Sequence, residues 1–204
     1  MMSVAILDYD AGNLRSVETA FTHIGAEHSV IRDPEDVVTA ERLVVPGVGD
    51  ARAAMETLRS RGLDTAIHEF VRTGRPLLGI CLGSQIVLDR SEENDAACLG
   101  LIPGETVAIP PGPGRKIPHM GWNTVQLLQD HAIFSGIDGG SSFYFVHSYV
   151  PRPADPEQVL AICEYGETFA AVVGRDNVVA SQFHPEKSAR TGLRMLSNFL
   201  SWRP

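Results

Sequence analysis

Three residues able to carry out nucleophilic catalysis lie in two short stretches of this sequence. A cysteine sits in Pro76-Leu77-Leu78-Gly79-Ile80-Cys81-Leu82-Gly83-Ser84-Gln85, and a histidine and a glutamate in Phe183-His184-Pro185-Glu186-Lys187-Ser188. The first stretch is an apolar run leading into a cysteine bracketed by Gly79 and Gly83, the pattern of a nucleophile elbow. Glycine leaves room for the abrupt backbone crossing that a Cβ would obstruct, and a side chain at the tip of the turn is expected to be pushed into the open. The amide-rich start of a helix behind Cys81 favours its thiolate. A thiol needs a base to become a nucleophile, and the base needs a fixed tautomer. In extended backbone His184 and Glu186, two apart, share a side, while Pro185 stiffens the chain between them. Taken singly, each has an ordinary reading: a small core hydrophobe, a hydrogen-bonding histidine, a solvated carboxylate. Together Cys81, His184 and Glu186 divide the work of nucleophile, base and orienting group. The Leu82 N–H, just past the nucleophile, is a natural donor to a tetrahedral oxyanion.

The elements that must position these residues follow from periodicity. Residues 4–7, 29–31, 43–45 and 77–80 read as β-strands, separated by helical patterns at 13–24, 50–58 and 63–73. This is the rhythm of a parallel α/β sheet, in which near-continuous apolar strands are buried on both faces and ligands gather beyond their carboxyl ends. Cys81 falls at such an end. The second half changes character, with strands expected at 106–109, 124–128, 143–149, 159–163, 168–173 and 178–183, several at hairpin spacing, before a last helix at 189–200. The expected fold is α/β: a mixed, mainly parallel central sheet flanked by helices, with an antiparallel extension in the C-terminal half.

With 204 residues, 44% of them hydrophobic, and no linker or repeat, one compact domain spanning 1–204 is expected. The net charge of −8 and the absence of a basic run argue against nucleic acid, leaving small molecules or proteins as partners. Cys81, Cys98 and Cys163 are odd in number and widely spaced, which indicates neither a disulfide frame nor a metal site and fits the reducing cytoplasm. The N-terminus lacks a basic leader and no apolar run could cross a bilayer, so neither export nor a membrane partner is expected.

The stretches Gly79-Ile80-Cys81-Leu82-Gly83-Ser84-Gln85 and Phe183-His184-Pro185-Glu186 together resemble class I, triad-type glutamine amidotransferases. The resemblance implies that Cys81 attacks the side-chain amide of L-glutamine and forms a glutamyl thioester, that His184 moves the proton, and that Glu186 holds His184. It also implies that the turn Pro46-Gly47-Val48-Gly49, otherwise an ordinary loop, supplies a second oxyanion donor at Val48 or Gly49. Asp8-Tyr9-Asp10-Ala11-Gly12-Asn13-Leu14, the same glycine turn, Pro118-His119-Met120-Gly121-Trp122-Asn123 and Tyr144-Phe145-Val146-His147-Ser148-Tyr149 resemble, over essentially the whole chain, the glutaminase subunits of imidazole glycerol phosphate synthases. In that family ammonia crosses to a (β/α)8 barrel cyclase subunit, a step of histidine biosynthesis, and no cofactor is called for. By the same resemblance Gly47, Gln85, His147, Ser148 and Tyr149 would line the glutamine pocket. Asn13, Pro118, His119, Met120, Trp122, Asn123 and Lys187 would lie toward the partner in a heterodimer.

Two departures from the family pattern stand out. Ser84 occupies a place where many members carry methionine, and Asp50-Ala51-Arg52 follows the Gly49 turn in place of a more usual sequence ending in phenylalanine. A smaller Ser84 is expected to loosen packing behind the nucleophile, and the altered loop to affect alignment of the oxyanion donor. After a domain of this size only Leu200-Ser201-Trp202-Arg203-Pro204 remains, so the ammonia acceptor is expected on a separate chain. Three alternatives stay open: another class I amidotransferase such as the pyridoxal phosphate synthase glutaminase, a cysteine hydrolase acting on other amides, and a non-enzymatic α/β scaffold with Cys81 packed.

Overall fold

The computed structural model describes residues 3–204; Met1 and Met2, on which part of the leader expectation rests, lie outside them. The first half runs β1 (Ser3–Leu7), α1 (Leu14–His23), β2 (Glu27–Ile31), α2 (Pro34–Thr39), β3 (Leu43–Gly47), α3 (Ala51–Ser60), α4 (Leu63–Arg72), β4 (Leu77–Cys81) and α5 (Leu82–Ile86). The second half runs β5 (Arg90–Ser91), β6 (Ala96–Ala97), β7 (Gly104–Ala108), β8 (His119–Leu127), β9 (Ser141–His147), β10 (Tyr149–Pro153), β11 (Val159–Glu164), β12 (Thr168–Arg175), β13 (Val178–Ser181) and α6 (Ala189–Ser201).

Nine strands form one sheet in the order β2-β1-β3-β4-β13-β12-β11-β8-β9. From β2 to β13 all neighbours are parallel, and from β13 to β9 all are antiparallel. The sheet is therefore mixed and flanked by helices, with β13 at the junction. Alternation along the parallel strands assigns the layers. Val4, Ile6, Val44, Leu78 and Ile80 pack with Val17 and Phe21 of α1 and Met195, Leu196 and Phe199 of α6. Ala5, Leu7, Val45 and Leu77 face the other way, onto Met55 and Leu58 of α3 and Ile67 and Phe70 of α4. Among the described residues no helix is long and apolar enough to cross a membrane.

Several expected boundaries shift for physical reasons. The run expected as one strand at 143–149 breaks at Ser148, so that β9 ends the large sheet while β10 joins a second sheet, β10-β7-β5-β6, that periodicity did not suggest. The strand expected to reach 183 ends at Ser181. The helix expected to begin at Asn13 begins at Leu14, because Asn13 adopts a left-handed φ of 63°. Helix α2 went unread because its six residues bury only Val37, too little to establish a period.

Candidate active site

Cys81 ends β4 and stands directly before α5 with φ 54° and ψ −104°, a conformation that L residues rarely adopt and that marks a strained turn. The two glycines permit it. A Cβ at Gly83 would collide with the Val45 carbonyl oxygen, and one at Gly79 would lie 2.8 Å from the Gly83 oxygen and 3.0 Å from the Ala180 Cβ. The Ser84 hydroxyl donates to the Cys81 carbonyl at 2.7 Å, fastening the first turn of the helix to the elbow. The elbow is as expected, but exposure is not. Cys81 is only 6% exposed, its thiol directed at the Val146 carbonyl 3.8 Å away, because β9 and the segment after β13 close over it.

β13 pairs with β4 so that Ser181 lies beside Ile80, which sets the following residues next to the nucleophile. His184 Nδ1 lies 2.7 Å from Glu186 Oε1, and both side chains are fully buried. They meet through a 3-10 turn at Pro185–Lys187, and not through the extended backbone that the spacing suggested. Pro185 suits the first position of such a turn, where no backbone N–H is needed. With Nδ1 committed to the carboxylate, Nε2 is the open nitrogen, buried and without a hydrogen-bond partner. Burial works against a charged ring, but the neighbouring Cys81 and Glu186 outweigh it and raise His184 to about 9.

β3 pairs with β4 so that Gly47 lies opposite Cys81, bringing the Pro46-Gly47-Val48-Gly49 turn to the nucleophile. At Gly47 a Cβ would meet the Tyr9 hydroxyl and lie 3.1 Å from the Leu82 Cβ. The backbone N–H of Val48 donates to the Ala11 carbonyl at 2.8 Å, so in this arrangement it is not a free oxyanion donor. Gly49 takes φ +105°, a glycine conformation. Leu82 opens α5, where backbone N–H groups have no partner inside the helix. Beyond the turn, Asp50 Oδ1 caps α3 by accepting from the Ala53 N–H at 2.8 Å, Glu93 Oε2 accepts from the Ala51 N–H at 2.9 Å, and Arg52 and Asp50 both bond Asn94. The unusual Asp50-Ala51-Arg52 therefore anchors the loop to the turn at 92–95.

Gln85 reaches the Tyr149 carbonyl at 3.2 Å, and His147 Nδ1 reaches the same oxygen at 2.9 Å, while the Ser148 carbonyl accepts from the Ile109 N–H at 2.9 Å. These residues form one wall beside Cys81. The expected interface residues separate. Met120 and Trp122 are 63% and 56% exposed, Lys187 is exposed, Pro118 lies exposed in the loop before β8, and Asn123 is half-buried. His119 is instead buried between the rings of Tyr165 and Phe145, at centroid distances of 4.0 and 4.9 Å, because the alternation of β8 turns it toward the core. Asn13 also turns inward: its Nδ2 donates to Glu186 Oε1 at 2.5 Å.

Sequence reasoning did not assign this inward role to Asn13, nor any role to Tyr9 or Gln182. Tyr9 has a buried hydroxyl without a hydrogen-bond partner, pushed upward by burial and by the nearby Cys81. Gln182 could have been noticed, since it stands one strand period before His184.

A cysteine at a strained strand end and a buried imidazole–carboxylate pair on the adjoining segment constitute the equipment for nucleophilic attack on an amide. The class follows: the family model of Glutamine amidotransferase class-I matches residues 5–202, and the chain belongs to that family. Among named relatives, it is 47% identical to "Imidazole glycerol phosphate synthase subunit HisH" of Dechloromonas aromatica (strain RCB), over 99% of this chain and 97% of that protein. It is 45% identical to the protein of the same name from Chromobacterium violaceum, over 98% of each. The fold matches "Crystal structure of glutamine amidotransferase" with TM-score 0.76 at 22% identity over 97% of each chain. It also matches "Structure of PurLQS from Thermotoga maritima" with TM-score 0.76 at 17% identity over 98% of each.

Proposed function

We propose that this chain is the glutaminase subunit of imidazole glycerol phosphate synthase, acting in the cytoplasm and passing ammonia to a (β/α)8 barrel cyclase subunit. The observation that carries the chemistry is the juxtaposition of Cys81 with the buried His184–Glu186 pair. The observation that supports the particular subunit is identity of 45–47% with the two relatives named above over nearly the full length of both chains.

In this reading the sulfur of Cys81 attacks Cδ of glutamine, its proton passing to Nε2 of His184. The tetrahedral oxyanion is met by the Leu82 N–H and by a donor from the Gly47-Val48-Gly49 turn, with Val48 leaving its bond to Ala11 if it is to take part. Collapse breaks the C–N bond, His184 returns the proton to the departing nitrogen, and ammonia leaves behind a thioester. Water then adds to the thioester with His184 again taking the proton, releasing glutamate and restoring the thiol. Glu186 holds Nδ1–H throughout, and Asn13 holds Glu186. Glutamine is recognised by the wall of Gly47, Gln85, His147, Ser148 and Tyr149, much of it through backbone groups. The exposed Met120 and Trp122 give the cyclase subunit an apolar footing beside the site, with Lys187 at its edge. The engaged Val48 N–H makes the isolated chain a weak glutaminase and leaves a step for the partner to control.

The test is glutamate release by the chain alone and with a cyclase subunit plus its nucleotide substrate. Stimulation of about tenfold or more is expected, the size of an ordinary coupling free energy, and Cys81→Ala should lower turnover by roughly 10^4-fold or more. A fully active isolated chain, or no response to the cyclase subunit, would remove the partner assignment. Glutamate release that survives Cys81→Ala would remove the mechanism.

A further inference from the structure

Gln182 is completely buried, its backbone N–H bonded to the Ala171 carbonyl at 2.8 Å, and its side chain lies across from the nucleophile. The orientation of its amide can be deduced. The Tyr149 carbonyl only accepts, so the atom of Gln85 that reaches it at 3.2 Å is the amide nitrogen. That same nitrogen lies 3.0 Å from the side chain of Gln182, which must present its oxygen there. The Gln182 amide nitrogen is thereby turned to the sulfur of Cys81, 3.8 Å away, and among the described residues this is its hydrogen-bond partner.

The other side of the Tyr149 carbonyl is equally determined. His147 donates through Nδ1 at 2.9 Å, which leaves its Nε2 to accept from His119 Nδ1 at 2.9 Å. His119 Nε2 then accepts from Asn123 Nδ2 at 3.3 Å, and Asn123 also donates to the Glu164 carbonyl at 2.9 Å. An ordered polar chain thus runs from Asn123, beside exposed Trp122, to the reacting sulfur. A buried amide N–H facing a neutral thiol makes a poor bond and remains largely undersatisfied, whereas the same N–H facing a thiolate makes a charge-assisted one. The arrangement gains most when the sulfur is ionised.

We infer that Gln182 is a catalytic residue: its side-chain amide, held in one orientation by Gln85, donates to the sulfur of Cys81 and stabilises the thiolate that attacks the substrate. This rests on the reading of Cys81 as nucleophile. The ionisable groups around the sulfur are His184, with Glu186 behind it, from the segment after β13, and Tyr9 from the loop after β1; His147, from the end of β9, feels the charge of His184. None of these is replaced when Gln182 is changed to an uncharged residue, so the comparison that isolates the amide donor is the one with Gln182→Leu, whereas Gln182→Glu adds a repelling charge as well.

The experiment follows the ultraviolet thiolate absorbance of the full chain against pH, with Cys81→Ser as the blank, in the parent and in Gln182→Leu and Gln182→Glu. Thiolate appearance should move to higher pH in Gln182→Leu, leaving about tenfold less thiolate at a pH on the rising limb, and further in Gln182→Glu. In complex with the cyclase subunit, kcat should fall by about tenfold while KM for glutamine stays within about twofold. A residue that only fills space would lower thermal stability and leave the thiolate curve in place. Curves that superimpose in the variants overturn the inference. If Gln182→Leu does not fold, the near-isosteric and uncharged Gln182→Met, which also lacks the amide donor, gives the same reading. In the parent itself the Gln182 side-chain amide protons should shift in NMR spectra as the thiol ionises, and invariant resonances would also overturn it. Blocking Cys81 in the parent without loss of glutamine hydrolysis would instead show that the nucleophile assignment has failed, an outcome distinct from superimposed curves.

Discussion

In the proposed mechanism Cys81 and His184 carry the chemistry, and the charge state of His184 has a consequence for stability that can be measured. The His184 ring is charged more readily in the fold than in the open chain, since Cys81 and Glu186 outweigh its burial and carry it to about 9. A raised histidine stabilises the fold fully below its unfolded pKa of about 6.5, and that stabilisation is lost as pH rises through about 9. Denaturant unfolding at a series of pH values should therefore show about 1–3 kcal/mol lost between these limits. A Glu186→Gln variant should flatten this slope and lower turnover by about 10^2–10^4-fold. A slope identical in parent and variant would mean that the pair contributes no such coupling. The elbow and the His184–Glu186 contact were legible because apolar-Gly-x-Cys-x-Gly and His-Pro-Glu are short, local patterns that constrain the backbone. The Val48 N–H and the inward turn of Asn13 were not, since both depend on partners far away in the chain: Asn13 and Glu186 are 173 residues apart. Ser84 was read as a loss of packing, but its hydroxyl bond to the Cys81 carbonyl gives the small residue a positive role at the elbow.

At the scale of elements, β8 and β9 bring His119 and His147 together inside the protein, with His119 held to about 4 and His147 to about 3, chiefly by burial. Lowered histidines stabilise the fold fully above about 6.5, and the contribution disappears as pH falls through the folded values. Stability should accordingly drop by roughly 2–4 kcal/mol between pH 6.5 and 3, in addition to ordinary carboxylate effects. His119→Asn should make the acid limb of the stability curve shallower, as read by denaturant midpoints, and an unchanged limb would contradict this account. Alternation along β8 would have shown that His119 and Trp122 cannot share a face, but the segment read as a strand began only at 124. The break at Ser148 was hidden because residues on both sides are β-formers, and pairing partners, not propensity, decide which sheet each joins. The parallel strands were legible because burial on both faces leaves a continuous apolar run.

For the molecule as a whole, the charge of −8 is spread over a surface that nevertheless exposes Met120 and Trp122 side by side on β8. In the proposed heterodimer these are anchors, and Trp122→Asp should weaken association with the cyclase subunit by about tenfold or more, measured by titration calorimetry, while leaving the melting temperature of the isolated chain nearly unchanged. Equal affinity would place the docking face elsewhere. The strand order also has a consequence for synthesis. β4, which bears Cys81, is flanked by β3 and β13, and β13 emerges about 100 residues after Cys81, a delay of about 5–20 s on the ribosome. Throughout that interval one edge of β4 lacks its neighbour and the sulfur lacks its proposed base, since His184 follows β13. A stalled or truncated product can therefore have the cysteine but never its activity, and no glutamine is spent by an unfinished chain. The same open edge is the place where a nascent polypeptide most needs shielding from its neighbours.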